Sequence, residues 1–158
     1  MKKMPPKCAT DTLDNPLWQF ALGIYAHTEV QQRLLQLQDE HSADVLLLLL
    51  QLWLHQRGDG WPDAELPSRY LLWREQMIWP LRRLRRQLDK TVPLRASLQQ
   101  VEIEAEQQGL AYLWQWLALQ ERSSTALAQC WQVGCATDDV QASERIQQLL
   151  VVAEQASN

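Results

Sequence analysis

The sequence predicts an all-α protein, a single-domain bundle of about six or seven helices around a buried, leucine-rich central helix. Residues 45–54 read VLLLLLQLWL, and a helix that is apolar all round is normally buried on several sides. Elsewhere, apolar residues recur at intervals of three and four, which is the period of an amphipathic helix. The chain has 158 residues and only five glycines, and this length is typical of one domain.

The first half of the chain contains capping signals for three helices. Pro16 follows Asn15 at a first helical position, where its missing N–H costs nothing. Thr28 and Gln31 form a capping box for a second helix. Ser42 can cap the leucine-rich helix, which should end at the glycine-containing turn after residue 57. These three helices are expected at about residues 16–26, 29–41 and 45–57.

Two prolines organise the second half of the chain. Pro80 should bend or divide a fourth helix, and Pro93 marks the start of the next one. The apolar stripes of these two helices, at helical spacing, are Met77, Leu81, Leu84 and Leu88, followed by Leu94, Leu98, Val101 and Ala105. The remaining helices are expected at about residues 68–90, 93–117, 123–134 and 138–156.

The sequence also indicates the domain organisation of the chain and its cellular compartment. Residues 1–14 are expected to form a disordered tail, and residues 15–158 one helical domain. The longest apolar run, residues 45–50, is far shorter than the ~18 residues of a membrane span, and the basic start lacks the apolar stretch of a leader. Three cysteines without a C-x-x-C pair do not form a disulfide framework. A cytoplasmic protein without membrane association is therefore expected.

Charge is strongly segregated along a chain whose net charge is −4. Residues 69–95 hold eight basic and two acidic side chains, whereas residues 96–158 hold two basic and eight acidic ones. One interpretation is that neighbouring antiparallel helices pair these charges. The alternative is an anion site at Arg82, Arg85 and Arg86, because guanidinium groups match phosphate and carboxylate geometry. One short basic patch in an acidic chain disfavours nucleic acid as a partner.

The segment from Asp39 to Asp44 has the greatest density of chemically active side chains. Asp39, His41 and Asp44 combine carboxylates with an imidazole, the ligand types of metal sites in helical bundles. Only half of a Glu-x-x-His type of motif is present, and no second copy occurs elsewhere. The alternative is a corner between two helices, in which Asp44 caps the leucine-rich helix and Asp39 is solvated.

Eight tryptophans are the most unusual feature of the composition. Tryptophan is common at interaction hot spots because it combines a large apolar area with an N–H donor. Trp114 and Trp116 lie about 200° apart on one helix, so both cannot face the same core. One of these two residues, or Trp61 in a connector, is therefore a candidate for an exposed contact.

The chain resembles the domain of unknown function 2390 family, a group of small, mainly proteobacterial proteins. The resemblance spans about residues 15–115, and its first block reads LWQFALGIYAHTEVQQRLLQLQDEHSADVLLLLLQLWL over residues 17–54. Leu46 is a departure, since an asparagine follows the Asp-Val pair in the relatives. The matching positions are Leu17, Trp18, Phe20, Tyr25, Leu37, Gln38, Asp39, His41, Asp44 and Trp53, then Trp73, Arg74, Pro80, Leu81, Arg82, Arg85, Arg86, Glu102, Glu104 and Glu106. The resemblance implies a soluble, helical, cytoplasmic protein and supplies no activity.

Two classes of function fit these patterns. The favoured hypothesis is a non-enzymatic interaction module that binds another protein or a second copy of itself, because no motif of nucleophilic, phosphate-binding or zinc-protease chemistry is present and no cofactor is evident. The alternative is a protein, with possible enzymatic action, that binds a small anion or a metal. It would use Asp39, His41 and Asp44 opposite Arg82 and Arg86.

Overall fold

A computed structural model of the chain describes residues 13–120 and 140–156, and the regular secondary structure in these ranges is entirely helical. The all-α prediction is therefore confirmed. The predicted helix at 123–134 and most of the predicted tail lie outside the described residues. None of the described helices is both long and apolar enough to span a membrane. The elements are α1 (Pro16–Tyr25), α2 (Thr28–His41), α3 (Val45–Gln56), α4 (Ser68–Trp73), a π segment (Arg74–Ile78), α5 (Trp79–Gln87), α6 (Pro93–Ala118) and α7 (Val140–Ala156).

The chain divides into two compact units. Unit one contains α4, the π segment, α5 and α6, together with residues 13–18. Unit two contains the rest of α1 with α2, α3 and α7. Because α4, the π segment and α5 are continuous, the described ranges contain six uninterrupted helices. The single domain over residues 15–158 stays a prediction.

The leucine-rich helix α3 forms the core of unit two. Every residue from Val45 to Leu50 is buried, and so are Leu52 and Leu54. Helices α2 and α7 both pack on α3 and on each other. Their buried residues are the predicted ones, namely Val30, Leu34 and Leu37 in α2 and Ala142, Ile146, Leu149 and Ala153 in α7.

The cap of α3 is Asp44 and not Ser42. Oδ1 of Asp44 accepts hydrogen bonds from the N–H groups of Leu46 and Leu47, at 3.1 and 3.3 Å. Ser42 instead ends α2 in the left-handed conformation, at φ 53°, and its N–H donates to the carbonyl of Leu37. The chain thus needs two separate residues to end one helix and to begin the next. The prediction for Ser42 was wrong because the spacing alone does not show which residue turns the chain.

Replacing Asp44 with Ala is expected to lower the free energy of unfolding by about 1 kcal/mol, because two N–H groups at the start of α3 lose their acceptor. Urea unfolding followed by circular dichroism measures the change. Asp39→Ala is the matched control, since Asp39 is exposed near the end of α2. Equal losses in the two variants would contradict a capping role for Asp44.

Pro80 acts on unit one through the π segment that precedes it. Proline has no N–H, and its ring crowds the carbonyl four residues earlier. The N–H of Trp79 bonds to the carbonyl of Arg74, five residues back, so the helix is wider just before the proline. The helix continues through Pro80 and is not divided there.

Unit one is held together by buried residues of α4, the π segment and α6. Tyr70 and Ile78 are buried, and so are Ala105 and Leu113. The indole N–H of Trp73 donates to the carbonyl of Ala105 over 2.7 Å, and this bond ties α4 to α6. These contacts hold α4 and the π segment against α6.

Candidate functional site

Helices α5 and α6 form an antiparallel hairpin in unit one. A guanidinium N–H of Arg95 donates to the carbonyl of Leu88 across the turn, over 3.1 Å. Arg85 contacts Glu102 further along, and Trp73 contacts Ala105 beyond that. The paired residue numbers fall on one helix as they rise on the other, which defines the antiparallel arrangement.

The turn between the two helices is closed by Asp89. Its carboxylate accepts hydrogen bonds from the backbone N–H and from the hydroxyl of Thr91, both over 3.0 Å. The backbone bond first, and then the hydroxyl bond, lower the pKa of Asp89 below its ordinary value. The carboxylate is therefore ionised at neutral pH, which is the form that accepts both bonds.

Glu102 joins the two helices through a nearly buried ion triad. Its side chain is 5 % exposed, and it accepts hydrogen bonds from the Nε atoms of Arg82 at 3.1 Å and Arg85 at 2.5 Å. The two arginine side chains are themselves only 12 % and 19 % exposed. The predicted pairing of charges between neighbouring helices is confirmed for these two arginines.

One side of this hairpin is apolar and partly exposed. We call it the hairpin face, and it comprises Met77, Leu81, Leu84 and Leu88 on the first helical stretch and Leu94, Leu98 and Val101 on α6. The exposed fractions are 37 % for Met77, 49 % for Leu84, 56 % for Leu94 and 44 % for Val101. Leu81, Leu88 and Leu98 are half-buried. These seven residues are most of the two apolar stripes predicted from the sequence.

The ion triad explains the exposure of this face. At 100° per residue, Leu81, Leu84 and Leu88 lie roughly 100–160° around α5 from Arg82, which points at α6. The α6 residues of the face lie roughly 40–100° around their helix from Glu102, in the same rotational sense. Equal rotations on two antiparallel helices lead to the same side of the hairpin. The polar triad thus occupies the contact, and the apolar stripes flank it.

The predicted site at Asp39, His41 and Asp44 lies in unit two. Asp39 is exposed, His41 is half-buried at the end of α2, and Asp44 is buried as the cap of α3. Within the described ranges, no group of three or more His, Cys, Asp or Glu residues is placed to hold a metal ion. A ligand-binding role for these three residues stays a prediction.

The predicted anion site divides between two kinds of environment. Arg82 and Arg85 are bound to Glu102, whereas Arg86 is exposed on α5. All three arginines belong to unit one, while the Asp39–Asp44 segment belongs to unit two. An anion-binding role for the three arginines stays a prediction.

The tryptophan candidates are less exposed than the sequence suggested. Trp61 is 8 % exposed and Trp116 is 7 % exposed, so neither is the expected exposed contact. Trp116 belongs to the same stripe of α6 as Glu102 and Ala105, which faces the rest of unit one. Trp114 is half-buried and stays the candidate among the three.

A pairing that the sequence did not predict occurs in unit two. Nε2 of His55 and Oε1 of Glu154 are 2.9 Å apart, and they line a pocket of about 410 Å³ with apolar residues that include Phe20 and Leu52. His55 and its partner Glu154 are 99 residues apart in the sequence. No local spacing could have indicated this pair.

The fold and these surfaces define a small all-helical protein with an exposed apolar face on a helical hairpin. The chain belongs to the DUF2390 family, described as protein of unknown function, whose family model matches residues 16–113. The resemblance found in the sequence is thereby confirmed. No curated protein and no solved structure matches the chain. The matched range includes the whole hairpin face, whereas Glu154 lies outside it.

Proposed function

We propose that this protein is a non-enzymatic interaction module that binds a polypeptide through the hairpin face. The exposure of that face is the observation that carries the proposal. Contiguous apolar patches on soluble proteins commonly mark interaction sites, since water at such a surface is released on binding. Residues of a helical face at intervals of three, four and seven are also the anchors by which helices dock onto one another.

The ion triad supports this role by holding the hairpin rigid. Glu102 contacts two residues of α5 at once, so the spacing of the two helices is set before any partner arrives. Preorganisation lowers the entropic cost of binding. Arg82 and Arg85 are already bound to Glu102 in this triad. Their engagement supports an interaction surface in preference to an anion site. The proposal also locates the protein in the cytoplasm, where its three cysteines would stay reduced.

A photo-crosslinking amino acid at position 84 tests the proposal in cells that produce the protein. Illumination should yield a covalent adduct with a polypeptide, because Leu84 lies within the hairpin face and is half exposed. The matched control is the same amino acid at position 99, since Gln99 is exposed on the other side of α6. Adducts at position 84 that are no more abundant than at position 99 would contradict the proposal, and so would crosslinks formed only within the chain.

A further inference from the structure

We infer that the pocket between the ends of α1, α3 and α7 binds a small organic cation, namely a protonated amine that carries an aromatic or alkyl group. The pocket lies within unit two, and its volume of about 410 Å³ is in the range of small-molecule sites. This site goes beyond the proposed function, because the hairpin face belongs to unit one. Binding of an amine in the pocket requires no partner polypeptide.

Apolar side chains form the walls of the pocket. Phe20 and Ile24 come from α1, Leu52 comes from α3, and Leu150 comes from α7. Phe20 and Leu150 are half-buried, so a part of the apolar wall contacts water. An aromatic or alkyl group that covers this wall releases that water, which favours binding.

A polar edge adds an acceptor for the charged end of the ligand. His55, Gln56 and Glu154 line the pocket beside the apolar wall. Nε2 of His55 lies 2.9 Å from Oε1 of Glu154, so an Nε2–H group donates to the carboxylate and orients it. A carboxylate accepts several hydrogen bonds through its two oxygens. Glu154 can therefore bind an ammonium group while it keeps its contact with His55.

The helix ends add negative potential at the same place. Each of the three helices contributes a lining residue from its last turn, namely Ile24, Gln56 and Glu154. The C-terminal end of a helix has a partial negative charge, because its last carbonyl groups have no partner within the helix. Three such ends around one pocket favour a cation over an anion.

The basic residues near the pocket do not reverse this preference. Among the described residues that line it, none is a lysine or an arginine. Arg57 directly follows α3, but its guanidinium group lies over the ring of Trp53 and 3.5 Å from the carboxylate of Asp59. An anion in the pocket would thus face Glu154 without a lysine or arginine beside it. An ammonium group would face its counter-ion, and the Phe20 ring can add a cation–π contact.

An NMR titration of the full chain tests the inference, with the imidazole signals of the three histidines as reporters. The probe is 2-phenylethylamine, and 3-phenylpropionate is an anionic comparator of similar size. The amine should shift the His55 signal to saturation, with a dissociation constant of about 10 mM or lower, as is usual for so small a ligand. The anion should bind at least about tenfold more weakly. His55→Gln identifies the His55 signal by its loss.

Two variants test the roles of the carboxylate and of the cavity. Glu154→Gln should raise the dissociation constant of the amine about tenfold or more, since the amide keeps the shape but not the charge. Its matched control is Glu144→Gln, the same change at an exposed position about 15 Å away along α7. Ala153→Leu should abolish binding, because Ala153 lines the pocket and a larger side chain would fill it. Circular dichroism checks that each variant keeps the helix content of the parent chain.

Three outcomes would overturn the inference. The first is the absence of a saturable shift at His55 with the amine. The second is equal affinity for the amine and the anion, because charge would then not select the ligand. The third is an affinity that Glu154→Gln leaves unchanged, since the amine would then bind elsewhere. None of these outcomes affects the crosslinks expected at position 84, so the proposed function fails or succeeds separately.

Discussion

Replacing Glu102 with Ala is expected to lower the free energy of unfolding of unit one by about 3–5 kcal/mol. The change removes the carboxylate but leaves Arg82 and Arg85 largely buried and facing the same space. Each guanidinium then keeps its desolvation cost and gains repulsion from the other. Urea unfolding followed by tryptophan fluorescence measures the loss, since Trp73 and Trp79 lie in the same unit.

Two further variants distinguish the cost of leaving the two arginines without their carboxylate from the net contribution of the whole triad to stability. Glu144→Ala, which removes an exposed glutamate from α7, should change the stability by less than about 0.5 kcal/mol. A triple replacement of Arg82, Arg85 and Glu102 by Met, Leu and Leu should recover most of the stability, since apolar residues of similar volume need no hydration. A Glu102→Ala protein as stable as the parent would show that the triad is not formed in solution.

Replacing Leu50 with Ala is expected to lower the free energy of unfolding by about 3–5 kcal/mol, from lost apolar burial and from the cavity left behind. Leu50 is fully buried in α3, between other buried leucines that cannot collapse freely into the space. Thermal and urea unfolding both measure the effect.

The matched control for this core variant is Leu35→Ala, because Leu35 lies on α2 in the same unit and is more than one third exposed. Its loss should be about 1 kcal/mol or less, since much of the removed surface already contacts water. A loss in Leu50→Ala as small as that of the control would contradict the central position of α3.

The buried faces of α3 and α7 are the ones that the sequence predicts. Helix α3 is apolar at almost every position, so any packing buries leucine. The apolar stripe of α7 matches its buried residues, and Arg145 beside that stripe pairs with Glu40 of α2. Here local periodicity and tertiary contact select the same side chains.

The hairpin could not be predicted in the same way. Its apolar stripes were visible in the sequence, but the contact between the helices is formed by Glu102 with Arg82 and Arg85. Periodicity shows which residues share a face, and it does not show which face meets a neighbour. The exposed fractions of Leu84 and Leu94 depend on which face of each helix meets its neighbour, and they become known only from the folded unit.

Pairs of residues that are far apart in the sequence limit the prediction of a site in a second way. The sequence drew attention to Asp39, His41 and Asp44 because they are adjacent in the chain. His55 and Glu154 come together from helices far apart in sequence, and neither residue belongs to a motif. Clusters of neighbours are therefore over-represented among sequence-based candidates, whereas pairs created by folding are missed.

The π segment has a geometric consequence for the hairpin. A single π turn accommodates one residue more than an α-helix does, so the residues that follow are rotated by about 100° relative to an uninterrupted α-helix. Deleting one residue between Arg74 and Ile78 would remove the π turn and leave α5 facing α6 as it does now. An uninterrupted α-helix of all the same residues would instead turn α5 by that angle about its own axis. Arg82 and Arg85 would swing away from Glu102, and leucines would take their place at the contact. One residue of chain length thus sets which side of the hairpin is apolar.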